Sequence, residues 1–477
     1  MTYKKSILLL RTIVPILILV ACAPTATQSP TVDQDAVATI VAATQTALAE
    51  IPTGFPPTVQ PTQPEPTQVE PGTSTAMPTI PASQTTEPIP AVRIAYIKDG
   101  NVYLWTEGYG SVGLTDSHDA VDLRISGDGE LVAYVRQDPN DSFIQELWAC
   151  NANGSPNPRV LVSSIELAAL KPSDPNPFIG GIGILDFAWR QDTHELTYNT
   201  LILHEGPGFS PNHDVRLVNA DTLAKTTLLD KGEGGLFYYS PDGNQNAISN
   251  PESISLINAD GSNLRRDVLT FPAVITYSEY QYHPHPIWAA DSSSLRVTIP
   301  PGDPLAEPLQ ATGLWRIPVD GSPAVLQGNI YAMPFAWPDH AFAPDLEHVI
   351  YAMLVGDPPE NQRELHIANP DGSNDVLYDI GESLEFMQWS PDSQHFLYAI
   401  NGGAREGVYW GTLDAQPELL KAGPQSMTDI QWLDRLRFAY LTSSGDQWEL
   451  RVREVGGDDL AFIDTIPDSS PSYDVLP

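Results

Sequence analysis

A short motif recurs seven times along the chain and limits the possible folds more than any other feature of the sequence. In each copy an aromatic or aliphatic residue precedes small or polar residues, an Asp and then a strand-like apolar run, most clearly at 239–242 (YSPD) and 389–392 (WSPD). Successive Asp residues are separated by 42 to 64 residues. That period matches one four-stranded β-propeller blade with loop insertions. Six copies supply predicted structural turn residues, Asp128, Asp192, Asp242, Asp291, Asp345 and Asp392, and a shortened copy ends at Asp434.

A second recurrent unit lies later in each period. It is a strand that ends in Asn-Ala-Asp-Gly-Ser or a close variant, as at 255–263 (SLINADGSN) and 365–373 (LHIANPDGS). In both units the Asp carboxylate caps backbone N–H groups at a turn, while Pro fixes φ and Gly accepts a positive φ. The Asp residues therefore have a structural explanation, and we predict no catalytic residue among them.

The two units together resemble the repeat of the TolB-type β-propeller, a relative of WD-repeat propellers. The resemblance covers residues 93–476 and implies an all-β fold. It does not imply one function, because blades of this type occur in binding scaffolds, in the gating domains of peptidases and in a few lyases.

The two ends of the repeat region predict how the propeller closes. Residues 94–114 have the pattern of strands B, C and D with no strand A before them, whereas 472–476 alternates as a strand after the last strand D. Placing both segments in one sheet removes a free edge. We therefore expect a single propeller over residues 91–477 with eight blades, or seven if one degraded unit is an insertion.

The first 22 residues have the features of a lipoprotein signal peptide. Lys4 and Lys5 precede an apolar run over 13–20, and Leu19-Val20-Ala21-Cys22 forms a lipobox. Arg11 leaves an apolar run that is too short to remain in the bilayer as a spanning helix. We expect Cys22 to be lipidated and to anchor the chain on the outer face of a bacterial membrane, with cytoplasmic and outer membrane both open.

Residues 23–90 are dominated by Thr, Pro, Ala and Gln, and they contain no Lys or Arg. Such a segment buries too little apolar area to fold, so we predict a disordered tether. One Ala-rich stretch, 35–50, has apolar residues at helical spacing and predicts a short helix.

The formal net charge is −36, from 60 acidic and 24 basic residues. A surface of this sign repels phosphate backbones, so we expect no nucleic acid partner. We also expect no cofactor.

Two types of connection contain the insertions, those from strand D to strand A and those from strand B to strand C. The long examples are 163–184, 202–214, 271–286 and 300–313. In a propeller both types emerge on one face, where we expect ligand recognition. The loop 271–286 is rich in aromatic residues that suit sugars or peptides. The candidate ligand-binding residues are Tyr277, Tyr280, Tyr282, His283 and His285.

A metal site on this face would need three or four ligands to converge. The sequence does not require such convergence, and we predict no metal site. The residues that would form one are His204, His213, His283, His285 and His340.

These features favour a non-enzymatic binding scaffold for a protein, peptide or glycan. One alternative is a metal-assisted polysaccharide lyase that uses the histidines of the same face, and another is a purely structural component of an envelope complex. A peptidase is excluded because the propeller occupies the chain and no G-x-S-x-G elbow occurs.

Overall fold

The computed structural model shows eight small antiparallel sheets in a ring, which confirms an all-β propeller of eight blades. It describes residues 91–476 except 173–177, 207–208, 279, 333–341, 356–361, 424–426 and 468–470. The predicted signal peptide, Cys22, the tether and the helix over 35–50 lie outside the described residues. Among the described residues, no helix is long and apolar enough to cross a bilayer.

Blades 1 to 4 are formed by the strands between Arg93 and Thr270 together with the last strand of the chain. Blade 1 combines the first three strands with the last strand of the chain, and blade 3 carries one additional short strand, β10 (Phe209–Pro211). One short helix, α1 (Ser164–Ala168), follows blade 2. The strands are β1 (Arg93–Lys98), β2 (Asn101–Thr106), β3 (Gly110–Gly113), β4 (Ala120–Ile125), β5 (Leu131–Gln137), β6 (Gln145–Asn151), β7 (Arg159–Val162), β8 (Ile179–Trp189), β9 (Glu195–His204), β10 (Phe209–Pro211), β11 (Val215–Asn219), β12 (Lys225–Leu229), β13 (Leu236–Tyr239), β14 (Gln245–Ser249), β15 (Ser253–Asn258) and β16 (Arg265–Thr270).

Blades 5 to 8 complete the ring. In blade 6 the described residues form three strands, and Phe342 adds a single bridge to Val349 at the position of strand A. A 3₁₀ turn, Gly403–Arg405, lies in blade 7. The strands are β17 (Ile287–Trp288), β18 (Ser294–Ile299), β19 (Thr312–Pro318), β20 (Val325–Ile330), β21 (Val349–Val355), β22 (Gln362–Ala368), β23 (Val376–Glu382), β24 (Glu385–Trp389), β25 (His395–Ile400), β26 (Gly407–Thr412), β27 (Ala415–Ala422), β28 (Thr428–Trp432), β29 (Arg437–Ser444), β30 (Gln447–Glu454), β31 (Asp459–Ile466) and β32 (Tyr473–Leu476).

The ring is closed by β32, which pairs antiparallel with β1 from Arg93↔Leu476 to Tyr96↔Tyr473. This is the closure that the sequence predicts. β32 and the residue before it, Ser472, also contact both neighbouring blades through hydrogen bonds. Ser472 Oγ donates to Asp122 of blade 2 at 2.7 Å, and Gln431 Nε2 of blade 8 donates to the carbonyl oxygen of Tyr473 at 2.9 Å. The last strand therefore completes blade 1 and links it to blades 2 and 8.

The core consists of apolar side chains that pack between neighbouring blades, because each sheet buries both of its faces. Strand B contributes a fully buried tyrosine in several blades, and its hydroxyl group reaches an Asp on a strand D. Tyr96 donates to Asp464 at 2.9 Å, and Tyr440 donates to Asp459 at 2.8 Å. These contacts satisfy the hydroxyl groups, whose burial without a partner would destabilise the fold.

The A–B and C–D turns form one face of the ring, called here the short-turn rim. Its Asp residues cap the turns: Asp128 Oδ1 accepts hydrogen bonds from Ser126 Oγ at 2.6 Å and the Glu130 N–H at 2.9 Å. Asp242, Asp291, Asp345 and Asp392 accept equivalent backbone hydrogen bonds. Asp192 occupies the same turn position with φ +54°.

Arginines on the short-turn rim link successive blades through backbone carbonyl groups. The acceptor of Arg159 is the carbonyl oxygen of Ala220 at 2.7 Å, and that of Arg190 is the carbonyl oxygen of Gly243 at 2.8 Å. Arg93 donates to the carbonyl oxygen of Ala152 at 3.0 Å. These bonds fix the spacing of the first four blades on this rim.

The B–C and D–A connections form the opposite face, called here the long-loop rim, because antiparallel strands place these two connection types at the same end of each blade. The long connections include 138–144, 163–178, 205–214, 271–286 and 300–311, whereas the A–B turns span only four to six residues. The chain enters at the short-turn rim, where the Glu107 N–H donates to the carbonyl oxygen of Val92 at 2.9 Å.

A charged cluster lies where the innermost strands of blades 1, 2 and 3, which are β32, β4 and β8, come together. Asp474 Oδ2 accepts a hydrogen bond from the Ile125 N–H at 2.8 Å, and Arg124 lies within 3.2 Å of Asp122 and 3.6 Å of Asp186. Burial raises the pKa of Asp474 to about 6, although Arg124 opposes this change. Ionised Asp474 therefore opposes folding at neutral pH.

We predict that Asp474→Asn stabilises the propeller at pH 7.5, on the order of 1 kcal/mol. The folded-state pKa lies above that of the unfolded chain, so the protonated form favours folding below pH 4 and this contribution is lost as the pH rises through 6. The gain should therefore shrink towards pH 4.5. Denaturant unfolding at both pH values measures it, with Asp446→Asn as the exposed control. A variant that is less stable than the parent at pH 7.5 would contradict this account.

Candidate binding face on the long-loop rim

Three long connections contact one another on the long-loop rim. They are 205–214 of blade 3, 271–286 between blades 4 and 5, and 300–311 of blade 5. The Ile275 N–H donates to the carbonyl oxygen of Gly302 at 2.8 Å. Phe209 and Tyr280 have ring centroids 5.3 Å apart. The three connections therefore form one continuous surface, called here the three-loop surface.

Two hydrogen bonds hold the loop 271–286 to the blades beside it. Buried Ser249 Oγ donates to the carbonyl oxygen of Pro284 at 2.6 Å, and the exposed hydroxyl group of Tyr277 donates to Asp303 at 2.7 Å. The buried bond contributes more to stability, because losing it would leave a desolvated carbonyl group without a partner. The loop is therefore fixed firmly at its C-terminal end, and its middle is attached by the more exposed bond of Tyr277.

The predicted ligand-binding residues divide into exposed and packed side chains. Tyr277 is 60% exposed, whereas Tyr282 and His285 are partly buried. The imidazole ring of His285 lies 4.4 Å from the ring of Tyr238, between centroids. Within this group Tyr277 offers the largest surface to a ligand, and the packed rings support the loop.

His213 and His283 are brought together from different loops, with their Nε2 atoms 3.3 Å apart. Burial, and then the neighbouring His213, lower the pKa of His283 to about 4. Burial also lowers the pKa of His213, against the effect of Asp214. Both rings are therefore neutral at pH 7, which is the state that binds metal. Two donors about 2.1 Å from a tetrahedral ion lie about 3.4 Å apart, so the pair fits two ligand positions.

Among the described residues, the other predicted metal candidates do not join this pair. His204 Nε2 lies 2.9 Å from Ser210 Oγ within the β9–β10 hairpin, and His285 packs on Tyr238. His340 lies outside the described residues. The structure thus brings together two of the five candidate histidines.

Outside the strands, large exposed apolar side chains of the described residues are more numerous on the long-loop rim than on the short-turn rim. Ile165 is 82% exposed and Phe178 is 65% exposed beside blade 3. On the short-turn rim the exposed large apolar residues, among those described, are Tyr109 and Leu223. The other such residues on the long-loop connections are Ile144, Ile275, Tyr277, Leu305, Leu309 and Tyr331. A second group lies on the outermost strands of the blades and includes Val325, Leu326 and Leu377.

The described long-loop connections are also strongly acidic. Their basic residues are Lys171, Lys231 and Arg405. The acidic residues are more numerous and include Asp116, Asp138, Asp141, Glu205, Asp230, Glu233, Glu252, Asp303, Glu307 and Asp446. The face therefore combines apolar contact area with negative charge.

Sequence reasoning missed one group on the opposite rim. Asp128 and Glu130 of blade 2 lie next to His194 of blade 3. The equivalent A–B turns of adjacent blades lie side by side in a propeller, so the position of His194 two residues after Asp192 was a usable signal.

No family model and no curated protein matches the chain. Among solved structures, it is similar to TolB from Acinetobacter baumannii, at 15% identity and a TM-score of 0.30. That match covers 59% of this chain and 61% of the TolB chain, so the matched region is less than two thirds of TolB.

Two further solved structures cover more of the propeller. An oligogalacturonate lyase in complex with manganese is 10% identical, with a TM-score of 0.43, over 77% of this chain and 97% of the lyase. The propeller domain of the Trilobed protease from Pyrococcus furiosus is 12% identical, with a TM-score of 0.41, over 73% and 97%. The fold assignment rests on the strand pairing of the chain itself.

Proposed function

We propose that this chain is a lipid-anchored β-propeller on the outer face of a bacterial membrane and binds a protein or peptide through its long-loop rim without catalysing a reaction. The supporting observation is that this rim carries more large exposed apolar side chains than the short-turn rim among the described residues. Buried apolar and aromatic residues supply most of the binding energy of protein interfaces. A glycan is the less favoured ligand, because aliphatic residues such as Ile165 and Leu305 offer neither a stacking face nor a hydrogen bond.

The point where the chain enters the propeller supports recognition at the long-loop rim. Val92 contacts the short-turn rim, so a tether over 23–90 attaches there. The long-loop rim lies on the opposite face of the ring from this entry point. An anchored propeller of this kind presents its binding face away from the attachment point.

We predict that Cys22→Ser moves the chain from the membrane fraction to the soluble fraction, because it removes the thiol that takes lipid. The measurement is fractionation of cells together with metabolic labelling by a fatty acid. Cys150→Ser is the matched control, because Cys150 is buried within blade 2. Unchanged labelling of Cys22→Ser would exclude the lipid anchor.

We predict that Leu305→Asp combined with Leu309→Asp abolishes binding to the peptides or proteins that the parent binds. The change places charge within the apolar part of the three-loop surface while the blades stay intact. Peptide and glycan arrays probed with the full-length chain provide the measurement, and Tyr109→Asp with Leu223→Asp is the control on the short-turn rim. If only the control loses binding, the long-loop rim is not the recognition face. If the arrays give hits on glycans and none on peptides, the ligand is a glycan and not a polypeptide.

A metal-assisted polysaccharide lyase is the second candidate, and the His213–His283 pair is the observation that favours it. Lyase chemistry removes a proton next to the carboxyl group of a uronic acid, so its substrate is a polyanion. The acidic residues of the long-loop connections repel such a substrate. We therefore favour the binding scaffold over the lyase.

We predict that removing one member of the pair separates the two candidates. If the pair binds a transition metal, His283→Ala should lose the metal. His204→Ala is the control and should keep it, because Nε2 of His204 contacts Ser210 and not the pair. Metal analysis of the purified chain and an assay of unsaturated products from polyuronates provide the measurements. The scaffold predicts no product with or without added Mn²⁺, and turnover lost in His283→Ala would overturn it.

A further inference from the structure

Three ligand-type side chains from two blades meet on the short-turn rim, away from the three-loop surface. Asp128 and Glu130 belong to the A–B turn of blade 2, and His194 ends the A–B turn of blade 3. The distance from His194 Nε2 to Asp128 Oδ2 is 2.9 Å, and that to Glu130 Oε2 is 3.8 Å. Donor atoms of the three residues lie within 4.8 Å of one another.

The imidazole ring of His194 is held in place from its other side. Its Nδ1 atom lies 2.7 Å from Asp221 Oδ2, and the guanidinium group of Arg159 lies 3.6 Å from the same carboxylate. A histidine that binds metal through one nitrogen commonly donates its other N–H to a carboxylate, which fixes the tautomer and the ring orientation. Asp221 thus directs Nε2 towards the two carboxylates of blade 2.

We propose that Asp128, Glu130 and His194 form a divalent-metal site that joins blade 2 to blade 3. Two donors about 2.1 Å from an ion and at right angles to each other lie about 3.0 Å apart, close to the separation between His194 Nε2 and Asp128 Oδ2. Glu130 is exposed, so a change of rotamer brings its carboxylate to the third position. Water completes the coordination on the open side.

The donor set indicates the kind of ion. One imidazole and two carboxylates suit a first-row divalent ion that accepts both nitrogen and oxygen, such as Mn²⁺ or Zn²⁺. Asp128 keeps its turn-capping bonds on Oδ1. The ion would replace the contact between Oδ2 and His194 Nε2, so the turn need not open. The ion would strengthen the contact between these two blades, because it binds the folded chain only.

The chain contains its own comparison for this site. The equivalent turns of blades 6 and 7 place Asp345 and Glu347 at the positions of Asp128 and Glu130, but Gln394 stands where blade 3 has His194. In blade 4 the same position holds Asn244. The imidazole therefore distinguishes the blade 2–3 site from its counterparts, and Asn at this position is compatible with the turn.

The test measures Mn²⁺ binding by electron paramagnetic resonance on the full-length chain after chelator treatment. We expect the parent to bind one Mn²⁺ ion that His194→Asn does not bind, and Glu130→Gln to weaken this binding at least about tenfold. Glu347→Gln is the matched control and should bind as the parent does. Mn²⁺ should also raise the Tm of the parent and leave that of His194→Asn unchanged.

One further variant separates this site from the histidine pair on the long-loop rim. His283→Ala should keep the ion assigned to His194. Binding that His194→Asn and Glu130→Gln both retain would overturn the proposal, and so would a parent chain that binds no Mn²⁺. Circular dichroism of each variant checks that the propeller remains folded.

Discussion

The pairing of β32 with β1 is the contact on which the rest of the propeller depends. β1 lies next to β2 on one side, and without β32 its other edge, which faces the centre of the ring, would have no partner. Asp474 of the same strand and Ser472, the residue before it, bond to blade 2, and the carbonyl oxygen of Tyr473 accepts a hydrogen bond from Gln431 of blade 8. Closure therefore completes one sheet and two interfaces in a single step, which makes the ring cooperative across its seam.

The repeat and the closure were predictable because both depend on local chemistry. The turn around Asp242 shows its capping residues within a few positions of one another, and the alternation over 472–476 is visible without any neighbour. The long-loop rim was predictable for a similar reason, since loop lengths can be read along the chain. Fold and rim thus follow from short-range sequence patterns.

The geometry within the rims could not be predicted in the same way. The paths of loops and the choice of rotamers decide which side chains meet, so His213 reaches His283 while His204 bonds within its own hairpin. The group formed by Asp128 and His194 depends on the lateral packing of two blades, so it can be found only by comparing the A–B turns of adjacent repeats. Strand A of blade 6 is likewise reduced to the bridge between Phe342 and Val349 among the described residues.

The two rims carry different chemistry on one framework. Capping carboxylates and arginines such as Arg159 and Arg190 are engaged in backbone hydrogen bonds on the short-turn rim. Gly129 illustrates how tight this rim is: its φ is +69°, and a Cβ atom there would lie 2.4 Å from Arg93 Nη1. The connections of the long-loop rim vary more in length, although this rim also has crowded positions: a Cβ atom at Gly235 would lie 2.3 Å from the carbonyl oxygen of Ser249.

The position of Val92 has a mechanical consequence. Tension applied through the N-terminal segment acts on β1, which begins one residue later and is flanked on both sides by antiparallel partners. A pull along this strand loads the hydrogen bonds to β2 and β32 together in shear, where they break collectively, instead of peeling them apart one at a time. If the chain is anchored and binds a partner as proposed, the propeller should resist a partner that pulls away from the membrane.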